Sequence, residues 1–250
     1  MDVSNLQRQT VYSPSDIGKP KAEAAAEWVR RFDLGLEILP CVTRLGGDNA
    51  AGILAGASVV LDGCDNFATR LLVSDTCVEL GIPLTSAAVG RFQGQVANFA
   101  GHRTDQACYR CFVGDAFDAQ DCDTCAADGV LGAMVGMVGT FAAMHAMRVL
   151  LTGKAALGDP QFGTLHLIDG MAPSMRALRI AKDPGCAPAV FRHSRRRDDR
   201  PITARAVRGQ TAACSRPCGP SQGRSGSSAW CSRIAGSARR STLPPPSDSR

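Results

Sequence analysis

Four groups of residues in this 250-residue chain have the types and spacing to do chemistry. The first is the polar run Ser4-Asn5-Leu6-Gln7-Arg8-Gln9, followed by Gly18-Lys19-Pro20-Lys21 where a helical stretch begins. Asn5, Arg8 and Lys21 are donors of the kind that surround phosphates, beside a helix start whose N–H groups point outward. An exposed loop leading into an ordinary helix has the same composition. The second group is Asp65-Asn66, directly after the apolar run and turn Ser58–Cys64. Ligands of open α/β sheets bind beyond the carboxyl ends of strands, where a carboxylate can hold Mg²⁺ beside phosphates. An Asx turn capping the next helix is the alternative for this pair.

The other two groups are thiols. Cys108-Tyr109-Arg110-Cys111 is half of a tetrahedral zinc site, and Cys186 stands near where a second pair would lie. Three residues after Cys186 the chain has Ala189, so the pair is incomplete. Cys214, Cys218 or His193 can supply a fourth ligand only if the C-terminal region folds back. Cys122 and Cys125 lie in the polar loop Asp121–Gly129, ahead of a long apolar stretch. A helix N-terminus stabilises a nearby thiolate and suits it to be a nucleophile or sulfur acceptor, while the neighbouring Asp residues oppose this.

These groups need a scaffold, and hydrophobic periodicity supplies one. Helical spacing runs over Lys19–Arg31, a brief helix suits Asn49–Ala55, and Phe67–Leu80 is closed by Gly81 and Pro83. Short apolar runs at Leu36–Val42, Ser58–Asp62, Pro83–Ala88, Gln95–Phe99, Gly163–Ile168 and Ser174–Ile180 read as strands. Strands alternating with helices predict an α/β fold with a largely parallel sheet. Val130–Leu151 has the length of a membrane span, but it is built on Gly, Ala and Met and contains His145 and Arg148. It reads as a core helix, and no membrane partner is expected.

The net charge of +5 is segregated. Residues 190–250 carry thirteen Arg, no Lys and three Asp, a net +10, which leaves −5 on residues 1–189. That excludes a basic nucleic-acid binder over the whole chain, and nucleic acid is not an expected partner. Residues 190–250 are rich in Arg, Ser, Pro and Gly without apolar periodicity, which predicts a disordered tail. Eleven cysteines with no signal peptide at the N-terminus favour a reducing cytoplasm, with thiols kept for metal or catalysis.

Taken together, the segments SNLQRQ, GKPKAEA, VVLDGCDNFATR, PLTSAAVGRFQGQV, CYRC, TCAADGVLG and DPGC resemble the ThiF/MoeB/HesA family, the bacterial relatives of ubiquitin-activating enzymes. The resemblance runs from about Asp2 to Cys186. It implies a Rossmann-like, mostly parallel sheet with flanking helices over residues 1–189. It also implies ATP-dependent adenylation of the C-terminal glycine of a ubiquitin-like sulfur-carrier protein, of thiamine or molybdopterin type. Residue by residue, Asn5, Arg8 and Lys21 contact the ATP phosphates, Asp65 binds Mg²⁺, and Cys125 matches the reactive cysteine. Cys108, Cys111 and Cys186 match three of four Zn²⁺ ligands, and the family is typically homodimeric.

The family's Gly-rich nucleotide loop precedes its SNLQRQ segment, and no G-x-G-x-x-G opens a helix here. The expectation is therefore a domain lacking its first Gly-rich βα unit. The alternative function is a non-catalytic member that binds a carrier or pairs with an intact paralogue. A nicotinamide-dependent oxidoreductase has the same α/β pattern but no dinucleotide fingerprint in this sequence.

Overall fold

A computed structural model of the chain describes residues 1–114 and 129–186. Cys122, Cys125 and the proposed tail 190–250 lie outside those residues. The elements in chain order are α1 (Lys21–Arg30), α2 (Ala50–Leu54), β1 (Val60–Asp62), α3 (Phe67–Leu80), β2 (Leu84–Val89) and β3 (Gln93–Phe99). They are followed by α4 (Tyr109–Val113), α5 (Gly132–Leu150), β4 (Thr164–Asp169) and β5 (Ser174–Arg179).

The five strands form one sheet in sequence order, β1-β2-β3-β4-β5. Only β1 and β2 run parallel, and β2–β3, β3–β4 and β4–β5 are antiparallel. The sheet is therefore mixed, where helix–strand alternation predicted a largely parallel one. The reason is the length of the connections. A parallel join needs a crossover helix, which α3 provides between β1 and β2. The turn after Val89 is three residues long and is closed by Gly90 N donating to Gln93 O at 2.7 Å, which permits only a hairpin.

Leu36–Val42 is a second departure from prediction, because it forms no strand. An apolar run becomes a strand only when a neighbour accepts its hydrogen bonds, and none does so here. Leu34, Leu36, Leu39 and Val42 are exposed. Strand β1 likewise has β2 on one side and no described strand on the other.

Both faces of the sheet carry a core. Val60, Leu84, Ala97, Phe99 and Leu165 pack with Val73 and Cys77 of α3 and Tyr109 of α4. On the other face, Ala87, Val96 and Ile168 pack with Met134, Val138 and Ala142 of α5. Helix α5 approaches β3 at Gly94, where any Cβ would overlap the Val138 side chain. Among the described residues α5 is the one helix long and apolar enough to cross a membrane, yet one of its faces is packed on β2 and β3. Its outer face leaves Met137, Met144 and Met147 exposed.

The ends of α3 follow local rules. Asn66 caps its start by accepting from Thr69 N at 3.0 Å. Gly81 ends it in the left-handed region at φ 70°, where a side chain is rarely tolerated, and Ile82 N returns to Cys77 O at 2.8 Å.

Candidate active site

The N-terminal polar run folds onto the start of α1. Val3–Asn5 is one turn of 3₁₀ helix, capped by Asp2, whose carboxylate accepts from Ser4 N at 2.8 Å. That turn buries Asn5 and points its amide at two cations. Asn5 Oδ1 accepts from Arg8 Nη2 at 3.0 Å and from Lys21 Nζ at 3.3 Å. Arg8 is held a second time, donating Nη1 to Ser4 O at 2.9 Å. Lys21 is the first residue of α1, directly after Pro20.

Two positive charges so close together are expensive unless an anion joins them. Burial and the adjacent Arg8 pull the Lys21 ammonium below its ordinary value, and the charge of Asp65 pushes it back up. Helix α5 also begins here. A Cβ on Gly132 would meet Gln7 O and lie 3.5 Å from Arg8 Cα, and Gln7 Nε2 donates to Val130 O at 3.2 Å. The positive end of the α5 dipole thus adds to the same region.

Asp65 is placed by residues that motif reading passed over. Asp62, the last residue of β1, is 2% exposed. Its Oδ1 accepts from Cys64 N at 2.9 Å, and its Oδ2 accepts from Arg70 Nη1 at 3.4 Å and Ser86 Oγ at 3.3 Å. Arg70, itself buried on α3, also donates to Cys64 O. Both ends of the loop 62–65 are thereby fixed. The signal available in the sequence was a carboxylate ending a buried β-branched run, followed by an Arg one turn into the next helix. Asn66 takes the capping role, while Asp65 is exposed and makes no hydrogen bond among the described residues.

The thiol group assembles elsewhere. Cys108 caps α4, Cys111 lies in it, and Cys186 follows the turn at Asp183. Their Sγ atoms stand 3.6 Å (Cys108–Cys111) and 3.5 Å (Cys108–Cys186) apart, all within 4.8 Å of one another. Tetrahedral zinc with Zn–S near 2.3 Å requires sulfur separations of about 3.8 Å, so these three fit one metal. Gly101 makes room for the knuckle, since a Cβ there would overlap Cys108. Arg110 donates twice to the Asp75 carboxylate, at 2.7 Å each, and ties α4 to α3. No fourth ligand joins the three among the described residues.

Comparison with known proteins follows the same residues. The model of the ThiF family matches residues 1–187. The SAMP-activating enzyme E1 of Haloferax volcanii is 38% identical over 183 residues, covering 73% of this chain and 65% of that enzyme. The sulfur carrier protein adenylyltransferase of Thermus thermophilus is 36% identical, covering 74% and 68%. The molybdopterin-synthase adenylyltransferase of Salmonella typhimurium is 34% identical, covering 74% and 72%. Among solved structures, Escherichia coli MccB with ATP superposes with a TM-score of 0.61 at 14% identity, covering 75% of this chain and 56% of that one. The chain thus spans 65–72% of the length of these relatives, and just over half of that structure.

Proposed function

Because this chain belongs to the ThiF family, we propose that it adenylates the C-terminal glycine of a ubiquitin-like sulfur-carrier protein. The observation that carries the reading is Asn5 Oδ1, which accepts from both Arg8 and Lys21. In this reaction a carboxylate oxygen of the carrier attacks the α-phosphorus of ATP. The Pα–O bond to the β-phosphate breaks, pyrophosphate leaves, and an acyl-adenylate remains. The difficulty is electrostatic, because an anion must approach a polyanion. Arg8 and Lys21 offset that repulsion, Asn5 sets their direction, and Asp65 supplies the carboxylate that would hold Mg²⁺. When bound, that ion would neutralise charge between the phosphates and the incoming carboxylate. The assay is carrier-dependent exchange of labelled pyrophosphate into ATP, and no exchange in the purified full chain with carrier would defeat the proposal.

Cys125 carries the acyl or persulfide sulfur after adenylation in the same reading, and Cys108, Cys111 and Cys186 hold a structural Zn²⁺. Two substitutions separate these roles from each other. Cys111→Ser lowers bound zinc measured by atomic emission, whereas Cys125→Ala leaves zinc unchanged and removes the covalent adduct with the carrier. Equal zinc in the Cys111 variant and the parent would dismiss the metal assignment.

The family's typical homodimer belongs to the same reading. Sedimentation equilibrium should then return twice the 26.2 kDa chain mass, and a monomer throughout would exclude the dimer. We assign the protein to the cytoplasm because the thiols of Cys108, Cys111 and Cys186 are grouped as metal ligands, a use of cysteine that suits a reducing compartment. Reporter fusion and fractionation test that assignment, and recovery from an exported fraction would overturn it.

A further inference from the structure

A cavity of about 400 Å³ opens at the edge where β4 begins and β5 ends. It is lined by Gln106, Asp159, Gln161, Phe162, Thr164 and Arg179. It is separate from the cluster around Asp65, because β4 lies three strands from β1, about 14 Å across the sheet. None of its residues has a part in the adenylation chemistry.

The lining is organised to offer donors. Arg179 is steadied by donating Nη1 to Phe162 O at 2.7 Å, which leaves the rest of its fork available. The lining also holds one carboxylate, Asp159, whose Oδ1 accepts from Gln161 N at 2.6 Å and which shares the lining with the Arg179 guanidinium. Gln161 sits at φ 53°, the one non-glycine residue with positive φ among the described residues. Its Oε1 lies 3.2 Å from His166 Nε2, so the amide oxygen faces the histidine and the NH₂ group is left for the cavity. Thr164 adds a hydroxyl. A second cation, the guanidinium of Arg103, lies 5.1 Å from the centre of the Phe162 ring. The shielded Oε1 of Gln106 has no hydrogen-bond partner among the described residues, so a hydroxyl or N–H on the body of the ligand would satisfy it.

A fork of N–H groups, an amide NH₂ and a hydroxyl converging beside one aromatic wall are complementary to a planar anion with an apolar body. We propose that this cavity binds a small organic carboxylate, its oxygens on Arg179, Thr164 and Gln161 and its body against Phe162. Sulfate or phosphate satisfies the donors but leaves the Phe162 wall unused, so the carboxylate is the better match.

The test is titration of the full-length protein, followed by amide NMR shifts, with benzoate, its neutral isostere benzamide, and inorganic sulfate. Benzoate is expected to saturate at millimolar concentration, as a ligand of this size allows, and to shift resonances of residues 159–166. Benzamide and sulfate should each bind roughly tenfold more weakly. Arg179→Gln should weaken benzoate by about the same roughly tenfold factor, and Thr164→Val by less. If Arg179→Gln does not fold, Arg179→Lys and Thr164→Val carry the comparison. Asp65→Ala should leave the titration unchanged, which separates this site from the adenylation centre. Absence of saturable benzoate binding, equal binding of benzamide, tighter binding of sulfate, or indifference to both substitutions would each overturn the proposal.

Discussion

Replacing Asp65 by Ala lowers carrier-dependent pyrophosphate exchange by about a hundred- to a thousandfold, while leaving the unfolding temperature within a degree or two. The two halves of this expectation come from different observations. The stability half rests on exposure. Asp65 is exposed and makes no hydrogen bond among the described residues, and the loop that bears it is held by Asp62 and Arg70 instead. The activity half rests on electrostatics. Arg8 and Lys21 are gathered on one amide oxygen, and in the proposed mechanism Asp65 brings the carboxylate for Mg²⁺ to the same phosphates. Removing a charge contact that works only as the transition state develops costs on the order of 3 kcal/mol of activation. Asp65→Asn keeps the shape and loses the charge, so it should fall nearly as far as Asp65→Ala. Exchange at parental rates in both variants would remove Asp65 from the mechanism. A loss matched by a lower unfolding temperature would reassign it to the fold.

The residue types of this site were legible because each obeys a local rule. Lys21 opens a helix, Asp65 follows a strand, and Asn66 stands where a cap belongs. The sharing of the Asn5 amide oxygen by Arg8 and Lys21 was not legible, since it depends on a 3₁₀ turn at Val3–Asn5 that carries no hydrophobic period. Strand positions held where a neighbour exists. Gln95–Phe99 and Gly163–Ile168 match β3 and β4 to within a residue or two, and Ser174–Ile180 matches β5. Leu36–Val42 has the same apolar character and forms no strand, because pairing is a property of two segments rather than one. Strand direction failed for a related reason. Runs of apolar residues do not encode whether the next strand returns by a hairpin or a crossover, and three of the four pairings here are antiparallel. The least visible feature was the polar cluster beneath Asp65, whose members Asp62, Arg70 and Ser86 come from three elements and meet only in the fold.

That cluster yields the largest expected effect on stability. Arg70 Nη1 and Asp62 Oδ2 stand 3.4 Å apart with side chains 8% and 1% exposed, so neither charge is solvated by bulk water. Removing Asp62 leaves the buried Arg70 guanidinium with Ser86 Oγ and Cys64 O as its remaining partners. Breaking one partner of a buried pair costs about 3–5 kcal/mol, whereas replacing both by apolar residues is often neutral. Asp62→Leu alone should therefore lower the unfolding temperature by roughly 10 °C, a shift of the size expected for a domain of this length. Arg70→Leu alone should do much the same, and the double variant should recover most of the loss. The recovery identifies the penalty as uncompensated charge rather than lost packing, because the double variant carries both packing changes and lacks only the unpaired charge. Activity should separate from stability in the double variant. With Asp62 gone, Cys64 N loses its acceptor, and with Arg70 gone, Cys64 O loses its donor. The loop that bears Asp65 then loses both of these tethers. Exchange measured well below the unfolding temperature should stay depressed even where stability returns, and full recovery of both would show that the pair serves the fold alone.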